Sequence, residues 1–151
     1  MNVLKPVYLI GGGRDRKSFE SIIKTILEDT GKVRPTIAYV GVASGDSWPF
    51  YLMMSAMIKQ TGDCQIKRVV IAAQKADLNR AQAVLKSADA IFMSGGDVEA
   101  GMRVLEEKNM MGFLIDLFKQ GKVLFGVSAG SIILAREWVR WRDPDDDSST
   151  E

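Results

Sequence analysis

The chain has 151 residues, 46% apolar and 26% charged, an ordinary globular composition that excludes a disordered chain and suits one domain with a buried core. With 20 Lys and Arg against 19 Asp and Glu the net charge is +1, so neither nucleic acid nor an anionic membrane is expected as a partner. No apolar run approaches the roughly 18 residues of a membrane span, a single Cys64 excludes a disulfide framework and points to the cytoplasm, and there is no histidine at all.

That missing imidazole restricts the chemistry. No Ser-His or Cys-His pair can form within these residues, and a metal site would need its ligands from one cysteine and carboxylates. Neither a metal nor a cofactor is expected. The opening Met1-Asn2-Val3-Leu4-Lys5-Pro6 does not read as a secretory signal, because Lys5 and Pro6 cut its apolar stretch.

The first apolar run, Val7-Tyr8-Leu9-Ile10, ends in Gly11-Gly12-Gly13 and reads as a strand. Phe19, Ile22, Ile23, Ile26 and Leu27 then recur at the spacing of a helix packed on a sheet, stopping near Thr30-Gly31. A second strand, Thr36-Ile37-Ala38-Tyr39-Val40, leads into Gly41-Val42-Ala43-Ser44-Gly45. Tyr51, Met54, Ala56, Met57 and Ile58 mark a helix ending at Thr61-Gly62. The third strand is expected over Ile66 to Ala72, and Asp77 caps a helix carrying Leu78, Ala81, Val84 and Leu85. Ala90-Ile91-Phe92-Met93 is the fourth strand, ending in Ser94-Gly95-Gly96-Asp97. Residues 98 to 118 form two helices divided near Asn109 and Gly112, and Val123-Leu124-Phe125-Gly126-Val127 is the fifth strand. The last helix starts after Ser128 and runs through Ile132, Ile133 and Ala135 toward Trp138.

Five strand–helix alternations imply an α/β fold of three layers, a mostly parallel five-stranded sheet with helices on both faces. Loops leaving the carboxyl ends of the strands build the site in such sheets. Residues 1–142 form the single domain. The stretch 143–151, with five acids among its nine residues, is an acidic tail too polar to pack and expected to be mobile.

The strongest chemical signal is Gly126-Val127-Ser128-Ala129-Gly130, a Gly-x-Ser-x-Gly sequence set between a strand and a helix, the context of a nucleophile elbow. A sharp turn there strains the serine backbone, lifts its hydroxyl out of the sheet, and requires small neighbours two residues before and after. The N–H of Ala129 then points where an oxyanion would form. A second donor is expected from Gly95 or Gly96, whose lack of a Cβ lets the backbone approach a ligand; Asp97 beside them caps the following helix.

The Ser-Gly-Gly-Asp turn, the helix pair and Gly-Val-Ser-Ala-Gly-Ser together resemble the dipeptidase E and cyanophycinase family of serine peptidases, which share the class I glutamine amidotransferase-like, flavodoxin-like fold. The resemblance extends over residues 5 to 143 and includes the strand exits Tyr8-Leu9-Ile10-Gly11-Gly12-Gly13 and Ala38-Tyr39-Val40-Gly41-Val42-Ala43-Ser44. It implies Ser128 as nucleophile and Ala129 with Gly96, or Gly95, as oxyanion hole. Asp143, fifteen positions after Ser128, falls where the resemblance places the acidic triad member. The implied substrates are small peptides, with an acidic N-terminal residue, cleaved without metal or cofactor.

This chain departs from the family pattern in lacking the histidine that the family supplies from its C-terminal part. The expectation is a C-terminally shortened peptidase, inactive as it stands; the alternative is a non-catalytic, flavodoxin-like module that binds a small molecule. Cys64 lies at the entry of the third strand, away from the chemistry, as a partly buried thiol. The serine at the elbow argues against glutamine amidotransferase activity, which needs cysteine there. Gly11-Gly12-Gly13 is not a dinucleotide fingerprint, and Arg14 and Arg16 after it read as solvated, with a role at the site rim as the alternative. Met53, Met54, Met57, Met102, Met110 and Met111 read as core filler. Trp138 and Trp141, if uncovered, would promote self-association, with a homodimer as one outcome.

Overall fold

The computed structural model describes residues 3–12, 15–140, 142, 143, 145, 146 and 148–150. The elements in chain order are β1 (Val7–Ile10), α1 (Arg16–Asp29), β2 (Thr36–Val40), a turn of 3₁₀ helix (Val42–Ser44), α2 (Trp48–Lys59), β3 (Gln65–Val69), α3 (Leu78–Ser87), β4 (Ala90–Met93), α4 (Val98–Glu107), α5 (Met110–Lys119), β5 (Val123–Val127) and α6 (Ala129–Ile133). The strands form one sheet in the order β1-β5-β4-β2-β3, and every pairing is parallel. From β3 inward, β3-β2-β4-β5 reproduces the flavodoxin-like order, with β1 in the place of that fold's last strand.

Alternation along the strands divides the core in two. Ile37, Tyr39, Ala90, Phe92, Val123 and Phe125 pack against Ile23, Ile26 and Leu27 of α1 and Met54 and Ile58 of α2. On the opposite face, Ala38, Val40, Ile91, Met93 and Leu124 pack against residues of α3, α4, α5 and α6. The central strands β2, β4 and β5 are buried on both faces, which explains their unbroken apolar runs.

The side taken by each helix follows from the handedness of parallel crossovers. From β1 to β2 to β3 the chain moves one way across the sheet, with α1 and α2 on one face. From β3 to β4 to β5 it moves back, so right-handed connections must place α3, α4 and α5 on the other. Crevices open at the carboxyl edge wherever neighbouring strands send their chains to opposite faces, as β2 and β4 do, and β1 and β5.

Three expected boundaries shift. The third strand covers Gln65–Val69 rather than reaching Ala72, because the N–H groups of Ile71 and Ala72 donate to the Asp46 carboxylate and not to a ladder. The second helix starts at Trp48, where the Ser47 hydroxyl accepts from the N–H of Phe50 and Pro49 suits the first turn. The last helix stops at Ile133; Trp138 lies beyond it in irregular chain, 38% exposed, and Trp141 is outside the described residues. Asp77 and Asp97 cap α3 and α4 as expected, accepting from Arg80 and Ala100. No helix among the described residues is long and apolar enough to cross a membrane.

Candidate active site

Ser128 follows directly on β5. Its N–H donates to the Ile10 carbonyl at 2.9 Å, which extends the β1–β5 ladder by one bond. The chain then breaks out of the sheet: Ser128 has φ 54° and ψ −122°, a strained combination for a residue with a Cβ, and its side chain is exposed.

Two glycines make that turn possible. A Cβ on Gly126 would lie 2.5 Å from the Gly130 carbonyl carbon, and a Cβ on Gly130 would lie 2.0 Å from the Met93 carbonyl oxygen. The start of α6 therefore rests directly on the backbone of β5 and on the end of β4. The small residues at these two positions are required by contact, as the elbow reading expects.

The neighbouring turn is held as closely. Ser94 N–H donates to Val40 O at 3.0 Å and Asp97 N–H to Ala43 O at 2.7 Å, which ties the exit of β4 to the exit of β2. Gly96 adopts φ +141°, and a Cβ there would stand 2.1 Å from the Ala43 carbonyl oxygen. Gly95 faces the serine: its Cβ would sit 3.4 Å from Ser128 Cβ and 3.8 Å from Phe50 Cζ. Among the described residues, the N–H groups of Gly95, Gly96 and Ala129 donate to no backbone acceptor. The fold thus gathers Ser128, Ala129 and the Gly95-Gly96 turn at one point of the carboxyl edge.

Asp143 is not gathered there. It is exposed, and its hydrogen bonds among the described residues fall within 143–149: its N–H donates to Ser149 Oγ, and its carboxylate accepts from the N–H of Asp145. A short polar turn uses its own acids to cap its own amides. Lys122 lies at the opposite end of β5, where burial lowers its pKa and its ammonium donates to the carbonyls of Lys86 and Ala88.

Asp46 is the residue that sequence reasoning passed over. It is 6% exposed at φ 57°, and one carboxylate oxygen accepts from Ile71 N at 2.8 Å and Ala72 N at 2.6 Å. Its carbonyl accepts from the Arg68 guanidinium, which stacks over Trp48. It thereby braces the loop whose Ala43 carbonyl supports Gly96. The sequence carried only a weak signal, the Gly45-Asp46 turn. Nearby, the hydroxyls of Tyr39 and Ser94 are buried beside each other, and burial raises the Tyr39 pKa.

Other expectations divide. Cys64 is 4% exposed, more buried than expected, and burial pushes its thiol pKa up. Arg16 belongs to α1 and is paired with Glu20 at 2.7 Å; Gly13 and Arg14 lie outside the described residues. Met54 and Met110 are core residues, but Met53 and Met57 are exposed rather than core filler. No group of three or more potential metal ligands occurs among the described residues.

The model of peptidase family S51 matches residues 7–150. Among solved structures, a protein assigned as a peptidase E from Listeria monocytogenes EGD-e is 18% identical with a TM-score of 0.66, over 85% of this chain and 60% of that one. A peptidase from an acI-B1 Actinobacterium is 20% identical with a TM-score of 0.71, over 92% of this chain and 60% of its own. At these identities the likeness establishes the fold, and the chain spans 60% of the length of both. Comparison with functionally curated proteins gives no match.

Proposed function

Because the chain belongs to peptidase family S51, we propose that it is the nucleophile-bearing part of a serine peptidase acting on small peptides, with Ser128 as the attacking group. The observation that carries this reading is the strained Ser128 backbone beside three backbone N–H groups with no acceptor among the described residues. Attack of Ser128 Oγ on a peptide carbonyl would place the developing oxyanion against the N–H groups of Ala129 and Gly96, with Gly95 as the alternative to Gly96. The nucleophile also needs a base to take its proton, and these 151 residues contain no imidazole. In this reading the base comes from outside them, and without it the rate falls by about 10⁴ to 10⁶. Asp143 would have to leave its turn to orient that imidazole, so the reading rests on Ser128 rather than on Asp143. The absence of histidine favours a second reading, a non-catalytic module that keeps the fold and binds a small molecule.

Labelling with a fluorophosphonate, read by intact mass, separates the two. The first reading expects slow modification of Ser128, acceleration by free imidazole at millimolar concentration, and none in Ser128→Ala. Absence of modification with and without imidazole would favour the binding module.

A further inference from the structure

A groove of about 700 Å³ lies between α1 and α2 on one side of the elbow, where β1 and β5 send their chains to opposite faces. Val127, adjacent to Ser128, and Gly11 after β1 form its end at the carboxyl edge. Phe50, which reaches Gly95, begins a stripe along α2 at i, i+3, i+4 and i+7 that continues through Met53, Met54 and Met57. Phe19 and Ile22 of α1 face that stripe. Met53 is 49% exposed, Met57 39% and Ile22 36%, so three large apolar side chains share one concave surface open to solvent. A volume of this size, mostly apolar and ending beside a candidate nucleophile, has the character of a ligand site.

Charge decides what it accepts. The one cation among the described lining residues is Arg16, already held by Glu20 at 2.7 Å and by the side-chain amide oxygen of Gln60 at 2.8 Å. The lining also contains the Asp15 carboxylate, which caps α1 through Lys17 and Ser18. Among the described residues, an acidic side chain placed here would lose water without gaining a free positive partner, whereas a neutral apolar one would cover exposed methionine.

We infer that the α1–α2 groove is a subsite for a large apolar side chain of a peptide bound at Ser128, not for an acidic one. Its claim to be a substrate site rests on the peptidase reading; its claim to bind apolar peptides does not. The pliable thioethers of Met53 and Met57 would fit aliphatic and aromatic groups alike.

The test is a titration of the 151-residue chain carrying ¹³C-methyl methionine with the dipeptides Leu-Leu and Asp-Asp, followed by NMR. The Met53 and Met57 methyl signals should move with Leu-Leu, and Asp-Asp should bind at least about tenfold more weakly. Met57→Glu should weaken Leu-Leu by a similar factor while Met57→Leu keeps it; Met57 is exposed enough to change without unfolding the chain. Equal or tighter binding of Asp-Asp would overturn the inference. So would silence of both methyls, or shifts that follow protein rather than peptide concentration, the sign that a second copy covers the groove. Ser128→Ala should titrate like the parent chain. Failure of Ser128 labelling with a successful titration would sink the peptidase reading alone, and the reverse would sink only the groove.

Discussion

Gly130→Ala tests the elbow through one methyl group. The backbone φ of Gly130 lies outside the left-handed region, so alanine meets no conformational objection and the effect is steric. The new Cβ would stand 2.0 Å from Met93 O, 2.5 Å from Met93 C and 2.7 Å from Ser94 O, all backbone atoms that cannot rotate away. Ordinary contact begins near 3.4 Å, so α6 and β4 must separate by about 1.4 Å (3.4 − 2.0), and α6 carries the Ala129 N–H with it. Overpacking of this kind costs about 3 kcal/mol, at the upper end of the usual range because both partners are main chain. For a chain this long that lowers Tm by about 6–12 °C. Gly112→Ala is the control: nothing lies within 4 Å of a Cβ there, in the first turns of α5, and the change should gain about 0.5–1 kcal/mol. Thermal unfolding followed by circular dichroism measures both. A Gly130→Ala protein melting within about 2 °C of the parent would refute the claim that contact with β4 selects glycine at this position.

Asp46→Ala removes the acceptor for the N–H groups of Ile71 and Ala72, and leaving such donors unpaired costs about 3 kcal/mol; a loss in urea unfolding below about 1 kcal/mol would show that Asp46 does not brace the β2 exit. Tyr8 donates its hydroxyl to Asp29, and desolvation, then that hydrogen bond and the Asp29 charge, push its pKa up to about 12. The folded state therefore holds the phenol proton more tightly than the unfolded state, so the stabilisation is full below pH 10 and is lost as pH rises from 10 to about 12. Urea midpoints across that interval should fall more steeply for the parent than for Tyr8→Phe, and parallel slopes would contradict this.

Much of the fold was legible in the residues themselves. Apolar runs of four or five residues mark β2, β4 and β5, because a strand buried on both faces must be apolar throughout; β1 is an equally apolar run, but it lies at the sheet edge with Val7 and Leu9 exposed. Gly126-Val127-Ser128-Ala129-Gly130 signals its turn, since only hydrogen at the flanking positions lets α6 rest on β4. Three things were decided elsewhere. The end of β3 depends on Asp46, whose carboxylate reaches Ile71 and Ala72 across 25 and 26 residues, beyond any local pattern. Asp143 stands at a suggestive sequence distance from Ser128, but an exposed acid is captured by the nearest free amides, here those of its own turn. The methionines of α2 look alike in sequence. All three line the groove, but Met54 is packed into the core while Met53 and Met57 stand open, because the position of α1 relative to α2 is set by strands far apart in the chain, and that spacing determines which thioethers are left open to solvent.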